Sequence, residues 1–234
     1  READPQVFAR EFQRFLEGFN RLLPPEPSPL RKHMESHFGC DPGELPVIAE
    51  ELATAEHPNL QLALDELSQD GHWDICGLPL GLRQEPVFSL GSIASDRLGD
   101  HGRGRRPGPV EYVNLPVGLT ETLPCAQLVL CLGHWLDVPL AVLVVAGDER
   151  HHHPTLTVEV LAADRDTCRV FLDVLRQRRE SLNVYRGKTL AYRSAPHGDM
   201  HLDFLDVPKL ERSQVILPPR DLEAIEHHTL GISS

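Results

Sequence analysis

Residues 155–193 constrain the fold more than any other stretch, because they read as strand, helix and strand in succession. In Thr155-Leu-Thr-Val-Glu-Val-Leu161 the apolar Leu156, Val158 and Val160 fall on one face of a period-two pattern, with Thr155, Thr157, Glu159 and Leu161 on the other. That alternation predicts a strand in a sheet with one covered face. Asp164 is a candidate helix cap, since its carboxylate can accept a backbone N–H that no carbonyl reaches. From Thr167 the apolar Val170, Phe171, Val174 and Leu175 recur at helical spacing, while Arg165, Arg169, Asp173, Arg176 and Arg179 fall largely elsewhere on the wheel. The helix therefore has a side to lay on the sheet. Lys188-Thr-Leu-Ala-Tyr192 supplies the second strand. None of the three pieces carries a metal cluster, a phosphate loop or an activated nucleophile. The centre of the chain reads as a packing device with a basic exit, and function must be sought in what is attached to it.

Upstream, residues 5–23 form an amphipathic helix with Phe8, Phe12, Phe15, Phe19 and Leu22 in one stripe, ended by Pro24-Pro25-Glu26-Pro27. The stripe is either a core face or, given its heptad-like spacing, a seam for another subunit. Ser28 caps a short helix that stops at Phe38-Gly39. Val47 to Thr54 is apolar at Val47, Ile48 and Leu52, and Pro58 starts a helix with Leu60, Ala63, Leu64 and Leu67 inward. Residues 1–70 are expected to be a mainly helical lobe. Residues 71–210 are expected to be an α+β domain, a mainly antiparallel sheet with one packed helix. Its strand candidates are Val87 to Leu90, Glu111 to Val117, Ala126 to Leu132, Val138 to Ala146 and Met200 to Phe204. Gly133 to Asp137 and Pro196 to Asp199 serve as hairpin turns. Gly99 to Pro109 is a glycine-rich loop without an apolar anchor.

Charge narrows the classes of function. The chain of 234 residues has a net charge of -12, which argues against a general nucleic-acid binder, because phosphate backbones are held by an excess of Lys and Arg. Only Lys32, Lys188 and Lys209 among the 23 cationic residues are lysines. The apolar run from Leu136 to Ala146 is far shorter than the roughly 20 residues a membrane span needs, so neither nucleic acid nor membrane is an expected partner. Five widely spaced cysteines, with no Cys-x-x-Cys and no targeting signal, fit reduced thiols in the cytoplasm.

Possible sites of chemistry each have a plainer reading. His33-x3-His37-x2-Cys40 places two imidazoles one helical turn apart but lacks a fourth ligand, so a solvated helix face is the better account. No metal site is expected there or at His151-His152-His153. No Gly-x-Ser-x-Gly elbow is present, since Leu90-Gly91-Ser92-Ile93-Ala94 lacks its second glycine. Glu50-Glu51 and Asp203 with Asp206 read as solvated carboxylates, and no catalytic residue is assigned. Two basic groups remain as candidate partner-binding residues: Arg103, Arg105 and Arg106 in the glycine-rich loop, and Arg178, Arg179 and Arg186 at the helix exit. Guanidinium groups there suit an acidic or extended partner, although cations at a helix C-terminus also complement its dipole.

The last residues add a resemblance. Val215-Ile-Leu-Pro-Pro219, a helix with Leu222, Ile225 and Glu226, and Leu230-Gly231-Ile232 resemble the entry into the ATPase module of a bacterial AAA-type ATPase. Asn183-Val-Tyr-Arg-Gly-Lys188 and Glu111-Tyr-Val-Asn-Leu-Pro116 are similar to segments upstream of that module. The resemblance implies an N-terminal, non-catalytic domain that recruits a protein substrate or adaptor. It also implies a parent protein forming a homo-oligomeric ring. Residues 211–234 would then be a linker and the start of the ATPase module. No Gly-x4-Gly-Lys-Ser/Thr loop occurs in these 234 residues, so no cofactor is expected here, and the implied ATP and Mg would belong to a module outside them. A free-standing interaction or oligomerisation module built on the phenylalanine stripe is the alternative expectation, and an enzyme with an unrecognised site a further one.

Overall fold

The computed structural model describes residues 10–15, 18, 27–69, 72–78, 89–95, 106–146, 155–194, 200–207 and 217–230. Helix α1 (Pro29–Phe38) begins where the Ser28 hydroxyl accepts the Arg31 N–H at 3.2 Å and ends at Gly39, whose φ of 68° only glycine adopts freely. Strand β1 (Val47–Ala53) follows, then α2 (His57–Gln69), which turns Leu60 and Ala63 fully inward as its spacing predicts. Next come β2 (Asp74–Gly77), the five-residue α3 (Leu90–Ala94), β3 (Tyr112–Pro116), β4 (Thr122–Ala126), β5 (Leu128–Trp135), β6 (Val138–Val145) and β7 (Thr155–Leu161). Helix α4 (Arg165–Ser181), capped by Asp164, leads to β8 (Leu190–Ser194), β9 (Met200–Phe204) and α5 (Pro219–Leu230).

The fold is α+β. Five strands form one sheet in the order β1-β7-β6-β5-β2, every neighbouring pair antiparallel, and β3–β4 and β8–β9 are separate two-stranded ladders. Helices cover both faces of the large sheet. On one face Leu60 of α2 and Phe171, Leu172 and Leu175 of α4 pack on Val142, Val158 and Val160. On the other, Leu30 and Met34 of α1 and Leu90 and Ile93 of α3 pack on Leu130, Leu143 and Leu161.

Several expectations change with these two cores. Residues 47–53, expected within a mainly helical lobe, form the edge strand β1 and pair with β7 from Val47↔Leu161 to Ala53↔Thr155. Segments before and after residue 70 therefore share one sheet. β7 has two covered faces rather than one: Leu161 is fully buried and Glu159 is 8% exposed. The Glu159 carboxylate accepts the Leu90 N–H at 2.6 Å, and burial raises its pKa against that hydrogen bond.

In α4 the inward face is Cys168, Phe171, Leu172, Leu175 and Arg179, so Val170, expected inside, is exposed. β5 continues through Gly133 to Trp135, leaving a two-residue turn of Leu136 and Asp137, with φ of 50° and 64°. Gly133 is needed in the strand because the Trp73 ring lies where its Cβ would stand, 2.2 Å away. Leu90, expected to end a strand, starts α3. The residues 79–88 and 195–199, and with them the Pro196 to Asp199 turn, lie outside the described residues.

Candidate functional site at the exit of the long helix

Two of the three candidate cations at the end of α4 are engaged by carboxylates of neighbouring elements. Arg179 is 8% exposed, and its Nη2 lies 3.0 Å from Oε1 of Glu50 on β1, with Glu56 at 3.9 Å. Arg176 reaches the other Glu50 oxygen at 3.1 Å. Glu50, which reads from the sequence as a solvated carboxylate, is thus the junction of two guanidinium groups that fasten α4 to β1. Arg178 pairs with Glu66 of α2 at 2.9 Å, across the α2–α4 seam. The third candidate, Arg186, donates to the Glu180 carbonyl at 2.9 Å, satisfying an acceptor that the end of a helix leaves without an intrahelical donor.

Beyond α4 the chain is tied down by a cluster of contacts. The Val184 N–H donates to Oδ1 of the fully buried Asn59 at 2.9 Å, and the Tyr185 hydroxyl donates to the Ala55 carbonyl at 2.7 Å. Gly187, at φ 73°, turns the chain back. Lys188 then donates to the Val117 carbonyl on the β3–β4 turn and lies 5.4 Å from the Phe204 ring centre. Phe204 stacks on Tyr185, with ring centres 5.9 Å apart and planes inclined by 27°. Residues 183–188 thus join α2 and both small ladders. Sequence reasoning singled this segment out by resemblance and by the charge of Arg186, and it missed Asn59 and Phe204, whose partners lie 125 and 19 positions away (59 to 184; 185 to 204).

The other candidate surface is only partly described. Arg103 and Arg105 lie outside the described residues, and Arg106 is exposed. Just after it, Gly108 exchanges two backbone hydrogen bonds with Gly77 of β2, at 2.8 and 3.0 Å. Gly77 must be glycine for this approach, because a Cβ would meet the Pro109 carbonyl oxygen at 1.8 Å. The C-terminal end of the arginine loop is therefore stitched to the edge of the main sheet, and Arg106 projects from a fixed base.

The imidazoles of α1 are committed to structure. His33 meets Asp74 at 2.7 Å, and His37 reaches the Gly133 and Leu140 carbonyls at 3.1 Å each. Among the described residues no three His, Cys, Asp or Glu side chains are arranged to hold a metal ion. All five cysteines are free. Burial pushes the thiols of Cys125 and Cys131 up to about 12 and that of Cys76 to about 11, and raises that of Cys168. These four stay protonated at neutral pH and are poor nucleophiles. Phe12 and Phe15 of the phenylalanine stripe are 50% and 63% exposed, while Phe8, Phe19 and Leu22 lie outside the described residues. Among the described residues no helix is long and apolar enough to cross a membrane. No protein-family model matches the chain, and no curated protein matches it.

Proposed function

We propose that this chain is a non-catalytic N-terminal domain of a cytoplasmic AAA-type ATPase. It recruits a protein substrate or adaptor and couples it to ATP-driven remodelling by a neighbouring module, with ATP and Mg bound in that module and the ring assembled through it. The observation that carries the reading is the succession Val215-Ile-Leu-Pro-Pro219, helix, Leu230-Gly231-Ile232, which resembles the entry to such a module. The raised pKa of the buried Cys125, Cys131 and Cys168 thiols and of the partly buried Cys76 thiol, and the lack of a phosphate loop in these 234 residues, fit a part that binds rather than reacts.

The arginine loop is the proposed contact. Arg178 and Arg179 are tied to Glu66 and Glu50, so Arg103, Arg105 and Arg106 are the stronger candidates for a carboxylate-rich partner. Exchanging the three for Ala is expected to weaken capture of the partner by about tenfold or more, while the melting temperature stays within about 1 °C, since exposed substitutions away from packed features are nearly neutral. Pull-down from the source cytosol with matched calorimetry checks both, and unaltered capture rules the loop out. The family reading itself is tested by the reading frame beyond Ser234. A Gly-x4-Gly-Lys-Ser/Thr motif within the following few dozen codons supports it, and a stop codon immediately after Ser234 overturns it.

A further inference from the structure

Three imidazoles meet where the end of α1 crosses β5 and β6. His37, half-buried in the last turn of α1, lies 3.1 Å through Nε2 from the carbonyl oxygens of both Gly133 and Leu140, which are paired across the two strands. Two acceptors on one ring nitrogen require the proton there, so Nδ1 is the atom that takes up a second one. The exposed His134 of β5 has its ring 5.0 Å from that of His37, and His33 stands one helical turn back. Counter-charge is scarce at this end. Asp74 of β2 is paired with His33 at 2.7 Å, while Glu35 and Asp41 are both held by Arg31 at 2.8 Å. Glu44, in the turn that follows α1, is exposed. β6 and α3 carry no titratable side chain, and burial keeps the Cys76 thiol of β2 neutral by pushing it up to about 11. The charges that reach His37 are thus those of two other imidazoles.

We propose that this cluster is an acid-operated clasp: proton uptake at Nδ1 of His37, beside the charged rings of His134 and His33, frees the last turn of α1 from β5 and β6. Burial and the two neighbouring imidazoles hold the pKa of His37 down, against the pull of the two carbonyls, so the closed arrangement favours the neutral ring. The clasp is therefore shut above the ordinary imidazole value of about 6.5 and opens as pH falls through the lower folded one. The opening is bounded on both sides. Leu30 and Met34, both fully buried, hold the earlier turns of the helix, and Arg31 keeps Asp41. Phe38, edge-on to His37 with ring centres 4.9 Å apart and packed on the core beneath α1, is the apolar group that opening uncovers. The inference rests on these contacts alone and holds whether or not an ATPase module lies downstream.

Hydrogen exchange on the 234-residue protein, unmodified and as His134→Gln and His37→Gln, tests it, with rates corrected for the pH dependence of intrinsic exchange. In the unmodified protein the amides of residues 37–39 are expected to lose protection about tenfold between about pH 7.5 and 5. They should do so by a path that low urea does not speed, with β6 amides about 100-fold or more better protected at both pH values. His134→Gln, at an exposed position, removes one repelling charge and should cut the pH effect to about threefold. His37→Gln should abolish it. Protection at residues 37–39 that is the same at both pH values would overturn the proposal. So would opening that urea speeds as steeply as it speeds β6, or a pH effect undiminished in His134→Gln.

Discussion

Glu50 accepts from two guanidinium groups at once, and one of them, Arg179, is almost wholly removed from water. A buried cation without its carboxylate is costly, because the interior does not replace the lost hydration. Glu50→Ala is therefore expected to destabilise the protein by about 3 kcal/mol, read as a lower urea midpoint at constant m-value. Glu50→Gln, which keeps an acceptor, should cost less. A loss below about 0.5 kcal/mol for the alanine variant would show that Arg179 finds water or Glu56 instead. Leu136 presents the reverse case. Its side chain is 77% exposed and its φ of 50° costs a residue with a Cβ about 1 kcal/mol, so nothing repays the strain. Leu136→Asn should raise the melting temperature by about 2–4 °C in a thermal scan. Neither role is visible in the local sequence, because a Glu in an apolar run and a Leu between Trp and Asp declare no partner and no dihedral angle.

At the scale of elements, α1 is fastened to the sheet by its imidazoles as well as by Leu30 and Met34. His37 bridges to the carbonyls of Gly133 on β5 and Leu140 on β6, its ring 5.0 Å from that of His134, while His33 on the same helix face pairs with Asp74 of β2. Burial lowers the His37 pKa, the two carbonyls oppose that, and the neighbouring His134 and His33 add to it. A histidine whose folded pKa lies below its unfolded value of about 6.5 contributes stability that is complete above that pH and lost as pH falls through the folded pKa. The urea midpoint of the unmodified protein, relative to that of His37→Gln, should fall as pH is lowered from about 7.5 to 5. Parallel midpoints across that range would remove His37 from the account. The elements themselves were largely readable in the sequence. Asp164, Ser28 and Pro58 mark helix starts, and the alternation in Thr155–Leu161 marks a strand, because capping and periodicity act over a few residues. The inward face of α4 was read partly wrong. Val170 is apolar, yet the register of the helix on β1 and β7 admits Cys168 and Arg179 instead.

For the whole molecule, the pairing of β1 with β7 and the packing of α2 beside α4 decide cooperativity. A chain of residues 71–207 alone would leave Leu156, Val158 and Val160 without Leu60 and Ala63, and the edge of β7 without β1. It is expected to show no cooperative unfolding transition by circular dichroism, whereas residues 27–207 should show one. A sigmoidal transition for the shorter chain would make the later segment self-sufficient.

By itself the sequence determined the caps, the periodic strands and helices and the α+β character, since each depends on interactions within about 20 residues. Only the tertiary structure decided that the sheet is covered on both faces. The same holds for the pairing of Arg179 with a carboxylate 129 positions away and the seating of Phe204 on Tyr185. Such contacts depend on how packed layers bring distant segments together, and no local pattern of residues encodes that distance.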